Sequence, residues 1–176
     1  MKIFLCGLPT SGKSLLGKAF ADFLSYTFFD LDDLIIKNYG EGIHTTTAKM
    51  FLAYGNATFC HWEAQILHSI PDYNSVVALG GGTLMHNETY QEIRNKGPLV
   101  FLSLPLPIVK QRLQTRGLPE KLKEEQAQSS LEEALKKRIE HMKTLATHTF
   151  LMDTVILSDP HSLTDACAAL RTLLNL

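Results

Sequence analysis

The feature that most constrains how this chain can fold is the segment GLPTSGKS at residues 7–14, here called the phosphate loop. The residues just before it, at positions 3–6, are all apolar, which is typical of a short strand buried on both faces of a sheet. After it, apolar side chains recur at three- and four-residue spacing up to Leu24, which indicates a helix. The sequence therefore predicts a central strand that is joined to a helix by a glycine-containing loop.

The phosphate loop also matches the pattern GxxxxGK[ST], in which backbone N–H groups and a helix N-terminus surround the phosphates of a nucleotide. Lys13 is expected to reach the β- and γ-phosphates of ATP, and the Ser14 hydroxyl is expected to bind Mg²⁺. A glycine turn that merely connects two elements is the alternative, but the flanking strand and helix favour phosphate binding. The residues predicted to bind the nucleotide here are Pro9, Thr10, Ser11, Gly12, Lys13, Ser14 and Leu15.

Further short apolar runs lie at residues 26–29, 76–79, 99–102 and 150–152, and helical or polar stretches separate them. That alternation predicts an α/β fold in which helices cover both faces of a parallel sheet. A length of 176 residues is in the usual range for one domain, so we expect a single domain over the whole chain.

Composition and charge narrow the expected partners. With 17 Lys and Arg against 18 Asp and Glu, the formal charge of −1 provides no general attraction to nucleic acids or anionic membranes, and neither is expected as a partner. The three cysteines show neither CxxC spacing nor the density of a disulfide-rich secreted domain. The first apolar run is too short for a signal peptide or a transmembrane helix. We therefore expect a cytoplasmic protein.

Two segments are predicted to cover the substrates. Helical patterning begins at Asp33 and recurs up to Ser69, which predicts a helical substrate-binding insertion over about residues 33–70. A polar stretch follows Arg116 and Gly117, and we expect it to form a mobile lid over about residues 116–130.

The C-terminal third is predicted to contain two more helices. They span about residues 131–147 and residues 162–174, and Ser162 is the expected N-cap of the second. Lys121, Lys123 and the neighbouring glutamates alternate in sign, which is typical of a solvated helix face.

An acidic pair, Asp30 and Asp32, follows the second predicted strand. Ligands of open parallel sheets bind at the carboxyl edge, so these side chains are expected beside the phosphate loop. Alternate residues of a strand share a face, which predicts that the two carboxylates point together while Leu31 points away. A helix N-cap with an acidic first turn starting at Asp32 is an alternative that is compatible with the same role.

Three consecutive glycines, Gly80, Gly81 and Gly82, follow the third predicted strand and are here called the glycine loop. Residues without side chains expose their backbone amides to a ligand, so this loop is expected at the same edge of the sheet.

In order and spacing these segments resemble the shikimate kinases, P-loop enzymes that transfer the γ-phosphoryl group of ATP to the 3-hydroxyl of shikimate in aromatic amino-acid biosynthesis. The resemblance covers nearly the whole chain and rests on GLPTSGKS, FFDLDDLI, ALGGGTL and KKRIEHMKTLA. It implies a P-loop NTPase-type three-layer α/β/α fold with a parallel sheet of five strands in the order 2-3-1-4-5. It also implies ATP with Mg²⁺ and shikimate as ligands, and a monomeric enzyme.

The resemblance implies roles for individual residues at the acceptor side. Asp30 is similar to the aspartate on the Mg²⁺ side, and Asp32 to the aspartate that holds the shikimate hydroxyls and acts as base. The glycine loop is similar to the loop that closes over shikimate. Arg138 occupies the place of the helical arginine that grips the shikimate carboxylate.

On the nucleotide side, the resemblance implies two further arginines. Arg116 is similar to the lid arginine that reaches the transferring phosphoryl group, although Gly117-Leu118-Pro119 follows it instead of the usual Pro-Leu-Leu. Arg112 is similar to the arginine beside the adenine. Lys13, Asp32 and Arg116 are the expected catalytic residues.

The stretch GNATFCHWE at residues 55–63 departs from the family pattern. A second arginine usually follows the phenylalanine there and clamps the substrate carboxylate, but this chain has Cys60. A thiol cannot supply a charged fork of donors, and His61 faces a different side of the helix. Glu63, which pairs with that arginine in the family, needs another partner. The sequence leaves open which residue stands beside Arg138.

Two other functions remain open at this level. One is another small-molecule P-loop kinase, of the gluconate or nucleoside monophosphate type, and the other is a nucleotide-binding module that has lost catalysis. The glycine loop and Arg138 favour shikimate as acceptor. The presence of Lys13, Ser14 and Asp32 favours an active enzyme.

Overall fold

The computed structural model describes residues 1–176 and contains one sheet of five parallel strands in the order β2-β3-β1-β4-β5. This order and the parallel pairing of all neighbouring strands confirm the predicted fold class. The strands are β1 (Lys2–Cys6), β2 (Thr27–Asp30), β3 (Ser75–Ala78), β4 (Leu99–Ser103) and β5 (His148–Leu151).

Helices follow every strand and pack on both faces of the sheet. They are α1 (Lys13–Leu24), α2 (Leu31–Tyr39), α3 (Thr47–Ser69), α4 (Asn87–Ile93), α5 (Leu106–Arg116), α6 (Glu120–Gln126), α7 (Leu131–Leu145) and α8 (Pro160–Leu173), with a 3-10 turn at Thr83–Met85. None of these helices combines the length and the hydrophobicity needed to cross a bilayer.

The central strand β1 divides the core into two layers, because successive side chains of a strand point to opposite faces. Ile3 and Leu5 pack into the layer that contains α1, α5 and α8. Phe4 and Cys6 pack into the layer that contains α2, α3 and α4. All four side chains are almost completely buried, which confirms the predicted strand with two buried faces.

The two helices predicted in the insertion from residue 47 onward are joined into the single element α3, with a kink at Gly55. That glycine has φ 78° and ψ 171°, outside the helical region, so the chain changes direction there. The kink places Phe59, Cys60 and Glu63 on a second helical segment, where all three are buried. The position of this segment matters because it forms one wall of the cleft described below.

The predicted N-cap of the last helix is wrong. The cap is Asp159, whose carboxylate accepts hydrogen bonds from the backbone N–H groups of His161 at 3.1 Å and Ser162 at 3.3 Å. Pro160 then occupies the first helical position, where a missing N–H costs nothing. The Ser162 hydroxyl instead accepts from the backbone N–H of Ile156 at 2.9 Å, which ties the loop after β5 to α8.

Candidate active site

A cleft of about 1160 Å³ opens at the carboxyl ends of the strands, between the phosphate loop, the insertion and the lid. It brings together almost every residue that the sequence predicted for the site. Ser11 is the exception, because its side chain is buried beside Gly7. The predicted residues that line the cleft are Pro9, Thr10, Gly12, Lys13, Ser14, Leu15, Asp30, Asp32, Gly80, Gly81, Gly82, Arg112, Arg116 and Arg138.

Lys13 lies at the base of the cleft, where α1 begins. Its Nζ donates hydrogen bonds to the backbone carbonyls of Gly7 at 3.0 Å and Leu8 at 2.9 Å, so the side chain folds against the phosphate loop. Burial lowers the pKa of Lys13, and the carboxylate of Asp32 opposes that shift. Gly12 precedes the helix with φ 94°, a conformation that side chains disfavour, and this conformation sets the turn into α1.

Ser14, at the start of α1, and Asp30, at the end of β2, have their side-chain oxygens next to each other. The Ser14 hydroxyl donates to Asp30 Oδ2 at 2.5 Å, and both side chains face the cleft. Mg²⁺ prefers hard oxygen ligands and often takes only one or two from the protein, with the rest from phosphates and water. The pair therefore fits a magnesium ion that is bound together with a nucleotide.

The prediction that Asp30 and Asp32 share a face of one strand is wrong, because β2 ends at Asp30 and α2 begins at Leu31. Both aspartates nevertheless line the cleft. Asp30 is the N-cap of α2, and its Oδ1 accepts a hydrogen bond from the backbone N–H of Asp32 at 3.1 Å. Asp32 thus lies in the first turn of a helix. The acidic N-terminal turn was the correct alternative, with the cap two residues earlier than expected.

Asp32 has an environment that favours its protonated form. Burial and, to a smaller extent, the nearby carboxylates of Asp30 and Glu63 raise its pKa, Lys13 and Lys121 lower it, and the net result is a pKa of about 6. Its Oδ1 is 3.2 Å from the point where a Gly80 side chain would begin, so the carboxyl group borders the glycine loop. A carboxyl group with a raised pKa is a better proton acceptor near neutral pH than an ordinary one.

Arg138 projects from α7 toward Gly82, at the other end of the glycine loop from the Asp32 carboxylate. Its side chain is buried, with only 2% of the residue exposed. Its Nη1 donates to the carbonyl of Gly81 at 3.0 Å. Its Nε and Nη2 donate to the two carboxylate oxygens of Glu125, in the lid, at 2.9 and 2.6 Å. The arginine therefore already holds a carboxylate in the two-pronged arrangement that guanidinium groups favour.

Lys121 is the site residue that sequence reasoning missed. It belongs to α6, a helix within the predicted lid, and its side chain is 15% exposed, so its assignment to a solvated helix face is wrong. Its Nζ donates to Glu63 Oε2 at 3.1 Å and lies 3.8 Å from Cys60 Sγ. Glu63 therefore has a cationic partner, and that partner comes from the lid.

His61 does not contribute to this end of the cleft. Its Nδ1 lies 3.3 Å from Glu88 Oε1, and both side chains are more than half exposed. Trp62, the next residue, stacks on Tyr39 with ring centroids 4.7 Å apart, so it packs within the insertion.

The two predicted nucleotide-side arginines differ in how firmly they are held. Arg112 Nη1 donates to the carbonyl of Thr10 at 2.8 Å, which ties α5 to the phosphate loop. Arg116 is exposed at the end of α5 and faces the cleft. Residues 155–158, after β5, form the wall beside them. Three of these residues, Val155, Ile156 and Leu157, are apolar and match no motif, so this wall was not predicted.

The sequence of this chain matches a known protein family. A family model described as shikimate kinase matches residues 9–160. A curated protein of Chlamydia pneumoniae named shikimate kinase is 48% identical over 175 residues, which cover 99% of each chain. A second, from Chlamydia muridarum, is 38% identical over 169 residues, which cover 94% of this chain and 87% of that protein.

A solved structure is also similar over the full length. The crystal structure of shikimate kinase from Bacteroides thetaiotaomicron superposes with a TM-score of 0.81 at 29% identity, covering 100% of this chain and 99% of that one. The likeness therefore extends through the insertion and the lid as well as the sheet.

Proposed function

Because this chain belongs to the shikimate kinase family, we propose that it transfers the γ-phosphoryl group of ATP to the 3-hydroxyl of shikimate in the cleft described above. The observation that carries the assignment within the structure is Arg138, a buried guanidinium whose fork already holds a carboxylate. Shikimate has one carboxylate, whereas a nucleoside monophosphate has none. Gluconate also has a carboxylate, and family membership is what separates shikimate from it.

Asp32 is the proposed base. The shikimate oxygen forms a bond to the γ-phosphorus as the bond to the β,γ-bridging oxygen breaks, and ADP leaves with that electron pair. The proton of the attacking hydroxyl passes to the Asp32 carboxylate, which borders the glycine loop and interacts electrostatically with Lys13. Its raised pKa makes the carboxylate a suitable acceptor, since proton transfer is most effective when donor and acceptor pKa values approach each other.

Lys13 and Arg116 are the proposed cations that stabilise the charge on the transferring group. Lys13 is held at the base of the cleft by the phosphate loop, and Arg116 faces the cleft from the end of α5. A fixed charge such as that of Lys13 acts without reorganisation, which makes it effective in a phosphoryl transfer that is mostly positioning and charge neutralisation.

Ser14 and Asp30 are the proposed protein ligands of Mg²⁺, which when bound neutralises part of the charge on the β- and γ-phosphates. The nucleotide itself is proposed to contact the phosphate loop and Arg112. The proposed enzyme acts as a monomer. The three free, buried cysteines suit a reducing cytoplasm.

A coupled assay for ADP release tests the proposed function. Purified protein is supplied with ATP and Mg²⁺, and shikimate, gluconate and the nucleoside monophosphates are added in separate reactions. We expect only shikimate to stimulate ADP release, with shikimate 3-phosphate as the second product. The absence of stimulation at millimolar shikimate would overturn the proposal.

The contact between Glu125 and Arg138 leads to a prediction about affinity. The shikimate carboxylate must replace the Glu125 carboxylate on the guanidinium fork, so Glu125 competes with the substrate. Glu125 is 38% exposed, so the pair is partly screened and its contribution is modest. We expect Glu125→Gln to lower the KM for shikimate by about two- to fivefold, the range that exposed ion pairs support.

The neighbouring Glu124→Gln is the matched control, because Glu124 lies on the same helix and is exposed. Steady-state kinetics at saturating ATP measure both variants. A KM for shikimate that rises in Glu125→Gln would show that Glu125 assists binding instead of competing with it.

A further inference from the structure

Lys121 is unusual among the lysines of the lid, because its charge is turned into the cleft. Its side chain is 15% exposed, whereas that of Lys123, two residues later on α6, is 52% exposed and pairs with Glu120 on the same helix. Burying an ammonium group is costly unless it is paired. Lys121 is stabilised by its ion pair with Glu63 and by a cation–π contact with the ring of Phe59, whose centroid lies 4.7 Å from Nζ.

Lys121 and Arg138 border the same small space. A side-chain carbon placed on Gly82 would lie 3.3 Å from Lys121 Cδ and 3.5 Å from Arg138 Nη1. Because Gly82 has no side chain, that space stays open to a ligand. Arg138, which is buried, and Lys121, which is largely buried, therefore lie at one end of the cleft. Each has a single carboxylate partner within the protein, Glu63 for Lys121 and Glu125 for Arg138.

We propose that Lys121 is a substrate-binding residue, and that it supplies the second cation for the carboxylate of the acceptor, across Gly82 from Arg138. This inference rests on the proposed function. The main observation in its support is the position of Lys121 Nζ, which lies 3.8 Å from the sulfur of Cys60 and 3.1 Å from Glu63 Oε2. The cation that residue 60 does not provide thus comes from a helix about sixty positions further along the chain.

The pairing with Glu63 does not exhaust the hydrogen-bonding capacity of Lys121. An ammonium group has three N–H donors. Glu63 accepts from one of them at 3.1 Å, and the sulfur of Cys60 accepts weakly from a second at 3.8 Å. Glu63 is itself fixed by the Thr83 hydroxyl, which donates to its Oε1 at 2.5 Å. Glu63 therefore orients the lysine, and the remaining donor is available to a carboxylate above Gly82. Since Lys121 and Glu125 are one turn apart on α6, recognition of the acceptor depends on the position of the lid.

The first test is the KM of Lys121→Met for each substrate. A hydrogen bond to a charged group contributes enough that its loss corresponds to about a tenfold or larger rise in the KM for shikimate. The KM for ATP is expected to stay within about twofold, since the nucleotide binds at the other end of the cleft. Lys123→Met is the control on the same helix and is expected to match the wild type. An unchanged KM for shikimate in Lys121→Met would overturn the proposal.

A second measurement separates contact with the carboxylate from a structural role. The methyl ester of shikimate has no charged carboxylate, so the wild type is expected to prefer the acid over the ester, and Lys121→Met is expected to lose about tenfold of that preference. If the variant weakens acid and ester equally, Lys121 only supports the fold of the site and the proposal is wrong.

Removing Lys121 alone leaves Glu63 buried and unpaired, which could repel the substrate. The double variant Lys121→Met with Glu63→Gln removes both charges and keeps the oxygen that accepts from Thr83. The high KM for shikimate is expected to persist in this variant, and its return to the wild-type value would overturn the proposal. Absence of shikimate turnover in the wild type itself would instead contradict the proposed function.

Discussion

Replacing Lys13 with methionine is expected to lower kcat for ADP release with shikimate by about a thousandfold or more, the scale observed when one fixed charge or donor is removed from a developing anion. Methionine is unbranched and only one atom shorter than lysine, but it has no charge and cannot neutralise the γ-phosphoryl group. The effect is large because Lys13 is buried at the base of the cleft, where the field of a charge is screened little by water.

Lys18→Met is the matched control for this experiment. Lys18 lies on the same helix, but its side chain is 67% exposed and pairs with Asp22 at 3.5 Å. Its loss removes the same charge from the protein without touching the cleft, and we expect kinetics close to those of the wild type. A Lys13→Met enzyme with near wild-type kcat would exclude the proposed role of Lys13. Thermal unfolding of both variants shows whether the lost bonds to Gly7 and Leu8 weaken the fold.

Replacing Asp32 with asparagine is expected to lower kcat by about a hundredfold to ten-thousandfold, the usual contribution of general acid–base catalysis. Asparagine has nearly the same shape and can still accept a hydrogen bond from shikimate, but it cannot take up a proton. We therefore expect the loss to fall on kcat for shikimate, with the KM for ATP little changed.

Asp33→Asn controls for the loss of one negative charge in the first turn of α2. Asp33 is the adjacent residue, is exposed and does not line the cleft. Turnover in Asp33→Asn is expected to match the wild type. If Asp32→Asn retained turnover as well, the proton of the hydroxyl would have another acceptor, and Asp32 would not be the base.

The order of segments along the chain was predictable because each depends on neighbouring residues. The buried strand at the N-terminus follows from a run of apolar residues, and α1 follows from apolar spacing after Lys13. The phosphate loop was predictable because its chemistry needs particular residue types at fixed spacing. The position of Asp30 and Asp32 after a strand was predicted in the same way. Their assignment to that strand was wrong for Asp32, which lies in the first turn of the helix that Asp30 caps.

The contacts of the lid could not be predicted from neighbouring residues in the sequence. Charge alternation over α6 indicates a solvated face, since the pattern compares each residue only with its neighbours on the same helix. Leu122 is completely buried and anchors this helix against the core, which turns Lys121 toward Glu63 and Glu125 toward Arg138. None of these pairings has a sequence signature, because packing of the lid against the insertion and α7 decides them.

The sequence alone thus determined the phosphate-binding loop, the strands that support it, the acidic pair, the glycine loop, and the absence of an arginine at Cys60. Each of these is encoded by residue type and by spacing within a short segment. The tertiary structure decided which cation lies beside Cys60 and Glu63. Lys121 and Glu63 are separated by 58 positions, and their 3.1 Å contact exists only because the lid folds over the insertion.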